Sequence, residues 1–381
     1  MDLPRSVDLF CKVVDNFGDI GVCWRLARQL ASQWQLEVRL WVDDLASFRW
    51  LCPTLDDTAP AQMQQGIEIR RWEDAFPDLV PHDLVIEAFA CHLPQSFIAA
   101  MAIRSARPAW INLEYLSAED WVRSCHGMAS PHPRLPLTKY FFFPGFVAGT
   151  GGLLCEHDLP QLRRQFQADP VAQSGFWRHL GVAPRQQHEI RVSLFAYENA
   201  AVASLLDVMA AASVPVTCLV PQSRVTHSVC QWLELAELQP AEPVRRGALI
   251  VQALPFLPQP DYDRLLWACD VNFVRGEDSL ARALWAARPC IWHIYPQDDA
   301  AHWPKLDALC DIYSAGLAPA AADAVRTMWH GWNHQADVGA SWDGWCQQRA
   351  SIDSQAEEFA RSLEAIGDLA SNLLHFCRKI G

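Results

Sequence analysis

Twice along the chain, short runs of β-branched and aliphatic residues alternate with amphipathic segments, the pattern of βαβ units built on a mainly parallel sheet. The first series predicts strands at 7–14, 36–42, 67–72, 84–89 and 109–113. Between the first two, Ile20, Cys23, Trp24, Ala27, Leu30, Ala31 and Trp34 fall at helical spacing. The second series predicts strands at 190–196, 214–220, 249–254, 271–274 and 290–294, with helices at 200–212, 261–269 and 279–287. A Pro- and Gly-rich stretch from Pro131 to Gly152 interrupts the rhythm.

Two such series in 381 residues predict an α/β protein of two Rossmann-like lobes with the active site in the cleft between them. The expected organisation is a first lobe over 1–155, a polar linker over 156–188, a second lobe over 189–350 and a helical segment over 351–381. Open sheets of this kind hold ligands outside the carboxyl ends of their strands, so the loops that follow strands carry the functional reading.

Composition narrows the partners. A formal charge of -13 disfavours broad binding to nucleic acid or anionic lipid, which needs a basic face. The longest apolar stretch, 84–103, contains Glu87, His92, Pro94 and Gln95 and does not read as a membrane span. The 13 cysteines form no C-x-x-C pair, and the first residues lack the basic and small-residue features of a signal peptide. The expectation is a protein of the reducing cytoplasm, with no nucleic acid and no membrane among its partners.

Two loops stand out. Asp15-Asn16-Phe17-Gly18-Asp19 joins the first strand to the first helix and offers two carboxylates to a cleft. The structural alternative is that Asp19 caps the helix, Gly18 supplies a positive φ and Asp15 stabilises the turn. Arg275-Gly276-Glu277-Asp278-Ser279 lies after a strand and before a helix, where a guanidinium, a hydroxyl and free backbone N–H groups suit a diphosphate. Capping by Asp278 or Ser279 is the alternative there. Phe195, Tyr197, Phe256 and Tyr295 stand at other second-lobe strand ends, where a flat base could stack while Gln259 bonds its edge.

Other motifs read as structural. Gly149-Thr150-Gly151-Gly152 lacks the last glycine and the frame of a dinucleotide loop. Asp261-Tyr262-Asp263 has the spacing of a metal-holding pair, but after Pro260 it opens a helix whose dipole suits both carboxylates. Cys91-His92, Cys125-His126 and His132 have no ligand spacing, so no metal site or cofactor is expected.

In order along nearly the whole chain, Asp15-Asn16-Phe17-Gly18-Asp19, Phe141-Phe142-Phe143-Pro144-Gly145-Phe146, Ser193-Leu194-Phe195-Ala196-Tyr197-Glu198, Leu254-Pro255-Phe256-Leu257-Pro258-Gln259 and Arg275-Gly276-Glu277-Asp278-Ser279 resemble the elongation factor P arginine rhamnosyltransferases, the EarP family. The resemblance implies a GT-B fold, dTDP-β-L-rhamnose as donor in the second lobe and elongation factor P as acceptor at the first. Carried over by motif, it implies Phe195, Tyr197, Phe256, Gln259, Arg275, Asp278, Ser279 and Tyr295 as donor-binding residues. Asp15, Asp19 and Glu277 would be closest to the chemistry. The rival functions are a nucleotide-sugar epimerase, a transferase acting on a small molecule, and a sensor that binds a nucleotide sugar without turnover.

Overall fold

The computed structural model describes residues 3–14, 17–240 and 242–380. The chain divides into two compact units, Met1–His157 with Leu363–Gly381, and Asp158–Ser362. In the first run β1 (Ser6–Cys11), α1 (Gly18–Trp34), β2 (Glu37–Val42), α2 (Leu45–Phe48), β3 (Ala61–Gln64), β4 (Ile67–Arg71), β5 (Leu84–Ala88), α3 (Gln95–Ile103), β6 (Ala109–Leu113), α4 (Trp121–Cys125), β7 (Ala129–Pro131) and β8 (Thr138–Phe142). Their sheet has the order β3-β4-β2-β1-β5-β6-β8-β7, antiparallel only at its two edge pairs, β3 with β4 and β7 with β8.

The chain works outward from β1 through β2 to β4 and returns to place β5 on the other side of β1, which puts a topological switch point between β1 and β5. Strand β1 is buried on both faces. Val7, Leu9 and Cys11 pack with Trp24, Leu26 and Phe48, while Phe10 packs with Trp41, Phe97 and Met101. Asp8 is fully buried on the Phe10 face, where Trp41 Nε1 (3.0 Å), the His82 N–H (2.8 Å) and Arg39 (3.2 Å) all meet its carboxylate.

The second unit contains α5 (Leu159–Ala168), α6 (Pro170–His179), β9 (Ile190–Leu194), α7 (Val202–Ala210), β10 (Val216–Pro221), α8 (Val225–Leu233), β11 (Val244–Arg246), β12 (Leu249–Leu254), α9 (Gln259–Ala268), β13 (Val271–Arg275), α10 (Gly276–Trp285), β14 (Cys290–His293), α11 (His302–Ser314), α12 (Pro319–Asn333), α13 (Gly339–Gln347) and most of α14 (Arg349–Ile366). Its sheet runs β11-β12-β10-β9-β13-β14, with the switch point between β9 and β13. Three of its tryptophans, Trp329, Trp332 and Trp345, are fully buried.

Two boundaries differ from those read in the sequence. Residues 156–188 are mostly two helices whose Phe176 and Trp177 join Leu219, Leu254 and Leu265 in a core of the second unit. The polar faces of short amphipathic helices give such a stretch the composition of a linker. The C-terminal segment is also divided, because α15 (Leu369–Ile380) buries Leu369, Leu373, Leu374 and Cys377 in the first unit.

Candidate active site

At the carboxyl end of the first sheet, α1 begins at Gly18, with Phe17 at its N-cap position and no side-chain capping bond. Gly18 is not among the residues with positive φ. The capping alternative for Asp19 therefore differs from the structure, because Asp19 already lies within the first turn. Its carboxylate is buried, 5% exposed, and Oδ2 accepts the Val14 N–H at 2.8 Å. That bond ties the Val14 backbone to the helix start, and the helix dipole favours the negative charge there. Asp15 lies outside the described residues.

Under Asp19 lie Cys11 and Cys23, both fully buried and hydrogen-bonded to each other, each thiol pushed up by burial. The charge of Asp19 adds to both shifts, so carboxylate and thiols are close neighbours. Beside them, Cys91 donates from Sγ to the Phe10 carbonyl at 3.5 Å. Phe89 and Ala90, directly after β5, both have positive φ, 57° and 55°. For residues other than glycine this conformation costs roughly 1–2 kcal/mol each. A cavity of about 590 Å³ opens at the ends of β1, β2, β4 and β5, where Asp43, Glu73 and Asp74 outnumber Lys12.

In the second unit, the loops after β9 and β13 meet at the switch point. The Phe195 N–H bonds the Phe273 carbonyl at 3.0 Å, prolonging the β9–β13 register to the aromatic pair. The Arg275 guanidinium, its residue only 7% exposed, lies 5.0 Å from the Phe195 ring centroid and 4.8 Å from that of Tyr197. Two ring faces hold the cation where bulk water cannot. Arg275 is also the N-cap of α10, and its N–H bonds Ser279 Oγ at 3.1 Å while the Ser279 hydroxyl donates back to the Arg275 carbonyl. Gly276, at φ 63°, turns the strand into the helix and its carbonyl is held by Trp292 Nε1 at 2.9 Å.

Tyr295, 44% exposed, meets Tyr197 edge to face at 5.7 Å. Phe256 is half-buried on the β12–α9 loop, and Gln259 is buried at the first position of α9. Glu277 and Asp278 are half-buried in the first turn of α10. The structure thus brings Phe195, Tyr197, Arg275, Ser279 and Tyr295 into one contiguous group. Gln259 stands three residues before Tyr262, whose ring meets Phe195 at 5.3 Å.

Two members of this group were not singled out in the sequence as site residues. Tyr262 was read only as part of a helix start, although its contact with Phe195 places it in the group. His293, at the end of β14, packs against Tyr197 at 5.2 Å and its pKa is pushed down to about 4 by burial and by the nearby Arg275 charge. Its position one residue before Ile294 and Tyr295, at a strand end, is the signal that could have found it.

Asp261 and Asp263 are held as a helix-start pair. Asp263 makes a buried two-pronged ion pair with Arg282, at 3.0 and 2.7 Å, and Asp261 faces Arg264 and His179. The Gly149–Gly152 motif is a close-packing device. Gly151 lies against Phe142, and a Cβ on Gly152 would come within 2.4 Å of the Gly367 carbonyl, where Asn372 of α15 bonds the Gly151 carbonyl at 3.1 Å.

Two doubly wound sheets, with an arginine and a helix N-terminus at the second switch point, define a glycosyltransferase of the GT-B type. The solved MurG of Acinetobacter baumannii shares this fold, with TM-score 0.51 at 11% identity over 99% of this chain and 100% of the other. The family model described as elongation factor P (EF-P) rhamnosyltransferase EarP matches residues 7–378, and the chain belongs to that family. It is 48% identical to the protein-arginine rhamnosyltransferase of Pseudomonas putida over 99% of both chains, and 47% identical to that of Pseudomonas aeruginosa over 97% and 98%. A structure solved to explain EarP-mediated arginine glycosylation of EF-P matches with TM-score 0.71 at 36% identity, covering 98% of this chain and 99% of the other.

Proposed function

We propose that this protein transfers L-rhamnose from dTDP-β-L-rhamnose to an arginine of elongation factor P, in a single displacement that inverts the anomeric carbon. The observation that carries the reading is Arg275 held between Phe195 and Tyr197 at the head of α10. A cation there, with the α10 N–H groups and the Ser279 hydroxyl, offsets the charge that grows on the leaving diphosphate. Phe195 and Phe256 stack the thymine, and Gln259 bonds its edge. Tyr197, Tyr295 and Asp278 complete the contacts to diphosphate and sugar.

A guanidinium has a pKa above about 12 and delocalises its charge over three nitrogens, so it is a poor nucleophile until a proton leaves. Asp19 takes that proton as the nitrogen bonds to the anomeric carbon and the carbon–oxygen bond to dTDP breaks. Asp15 holds the planar fork through charge-assisted hydrogen bonds. Glu277 accepts bonds from sugar hydroxyls or orders the diphosphate. The cytoplasm, where translation factors work, is the proposed location, and no helix among the described residues is long and apolar enough to cross a membrane.

The test is intact-mass analysis of EF-P incubated with the protein and dTDP-rhamnose. The expected product carries one deoxyhexose on an arginine, formed equally with chelator present. No mass change on EF-P, with turnover of the donor on a small molecule instead, would replace this reading by the rival transferase.

A further inference from the structure

The turn after β5 is held in a costly shape by every neighbour it has. The Phe89 N–H bonds the Leu113 carbonyl at 2.7 Å, the Cys91 N–H bonds the Ala88 carbonyl at 3.2 Å, and Cys91 Sγ reaches the Phe10 carbonyl. The Phe89 ring stacks on Tyr115 at 4.8 Å and 25°. Glu87, buried and paired with Lys139 at 2.8 Å, accepts the Leu93 N–H and so fixes where the loop returns. Backbone held in the left-handed region at two successive non-glycine residues, and over-determined in this way, is the kind of strain that marks a working turn.

What the strain produces is a pair of unused acceptors. Among the described residues no hydrogen bond reaches the Phe89 or the Ala90 carbonyl oxygen, although Phe89 is 91% buried, and Ala90 is exposed. Buried carbonyls normally find a partner. The turn lies at the β1–β5 switch point, since Phe10 pairs with Glu87 in register and Cys91 bears on Cys23, the thiol next to Asp19.

We propose that the Phe89–Ala90 turn is a backbone cradle for the guanidinium of the acceptor arginine, its two carbonyl oxygens accepting N–H bonds beside Asp19. This rests on the arginine-transfer reading above. A guanidinium is all donor, with five N–H groups in one plane, and carbonyl oxygens are all acceptor. Neutral acceptors have a second merit. Each carboxylate bonded to a guanidinium stabilises its protonated form, whereas carbonyls orient the plane while binding the proton less tightly, leaving Asp19 to remove it.

The test uses the full-length protein and intact EF-P. Ala90→Val disfavours positive φ, whereas Ala90→Gly accepts it without strain. With Ala90→Val, the KM for EF-P should rise roughly tenfold or more, the scale of one lost hydrogen bond to a charged group, while dTDP-rhamnose affinity stays at the wild-type value. Ala90→Gly should keep wild-type kinetics. Binding of EF-P should also favour the natural arginine over an Arg→Lys acceptor in wild type, and that preference should shrink in Ala90→Val. Should Ala90→Val not fold, Ala90→Thr carries the same comparison. A folded β-branched variant with wild-type KM and undiminished preference for arginine overturns the cradle. Absence of rhamnosylation by the wild type would instead count against the transfer reading itself.

Discussion

The two switch points solve opposite problems with the same sheet topology. In the second unit, side chains build the candidate site: Phe195 and Tyr197 lie against the cation of Arg275, Tyr262 and Tyr295 pack on those two rings, and Gly276 turns at positive φ. In the first unit, carboxylate and backbone dominate, with Asp19 close to buried thiols and two strained residues in the turn after β5. An anionic diphosphate asks for a fixed cation and N–H groups, and a cationic guanidinium asks for acceptors. The difference teaches that the polarity of a doubly wound site is set by what the first residues after each strand present, not by the fold.

The largest effect should come from the scaffold of the anion-facing side. Asp263 of α9 and Arg282 of α10 form the buried pair that ties together the two helices carrying Gln259 and Ser279. Asp263→Ala removes the two-pronged partner of the buried Arg282 guanidinium and should cost about 3–5 kcal/mol, seen as a lower melting temperature in calorimetry. An unchanged melting temperature would mean that the aromatic packing alone fixes this side.

A smaller change is expected at Phe256, the residue proposed to stack the base. Phe256→Ala should weaken dTDP-rhamnose binding by about 1–3 kcal/mol without shifting the melting curve, as titration calorimetry can read. Wild-type affinity would move the donor away from the β12–α9 loop and break the division between the two regions.

A further effect, confined to acid pH, is a loss of stability. His293 has a folded pKa near 4, below its unfolded value near 6.5, so the unfolded chain binds the proton more readily between these limits. Stability should therefore fall as pH drops from about 6.5 towards 4, at up to about 1.4 kcal/mol per unit from this residue. The slope of denaturation midpoint against pH should flatten in His293→Gln. An equal slope would locate the acid sensitivity elsewhere, for example at His126, whose pKa burial also lowers.

Much of this was legible from periodicity alone. Strands 109–113 and 249–254 match the hydrophobic runs, the first starting directly after Pro108 and the second bounded by Gly247 and Pro255. Strand 7–14 was drawn too long: Val13 and Val14 continue the aliphatic run, but Val14 is 70% exposed and its N–H serves Asp19 instead of a ladder. The edge strand β3, AQMQ, has only Ala61 and Met63 as apolar residues and left no strong hydrophobic signal. Arg275, Ser279 and Asp19, the residues proposed for the site, were singled out by chemical type, since charged and polar residues after strands are conspicuous. Tyr262, His293 and the Phe89–Ala90 turn were invisible for another reason. Their importance lies in a ring contact, a burial and a backbone angle, and none of these is a property of one residue in sequence.

The division of labour is tested most directly by Asp19→Asn, followed by single-turnover rhamnosylation of EF-P and donor calorimetry on the same preparation. An amide keeps the shape and can still accept the Val14 N–H, but it takes no proton at neutral pH. The expected result is transfer slowed roughly a hundredfold or more, with dTDP-rhamnose affinity and melting temperature at wild-type values. Transfer at the wild-type rate in a normally folded Asp19→Asn protein would contradict the account, leaving Asp19 as a loop staple and the acceptor side without its base.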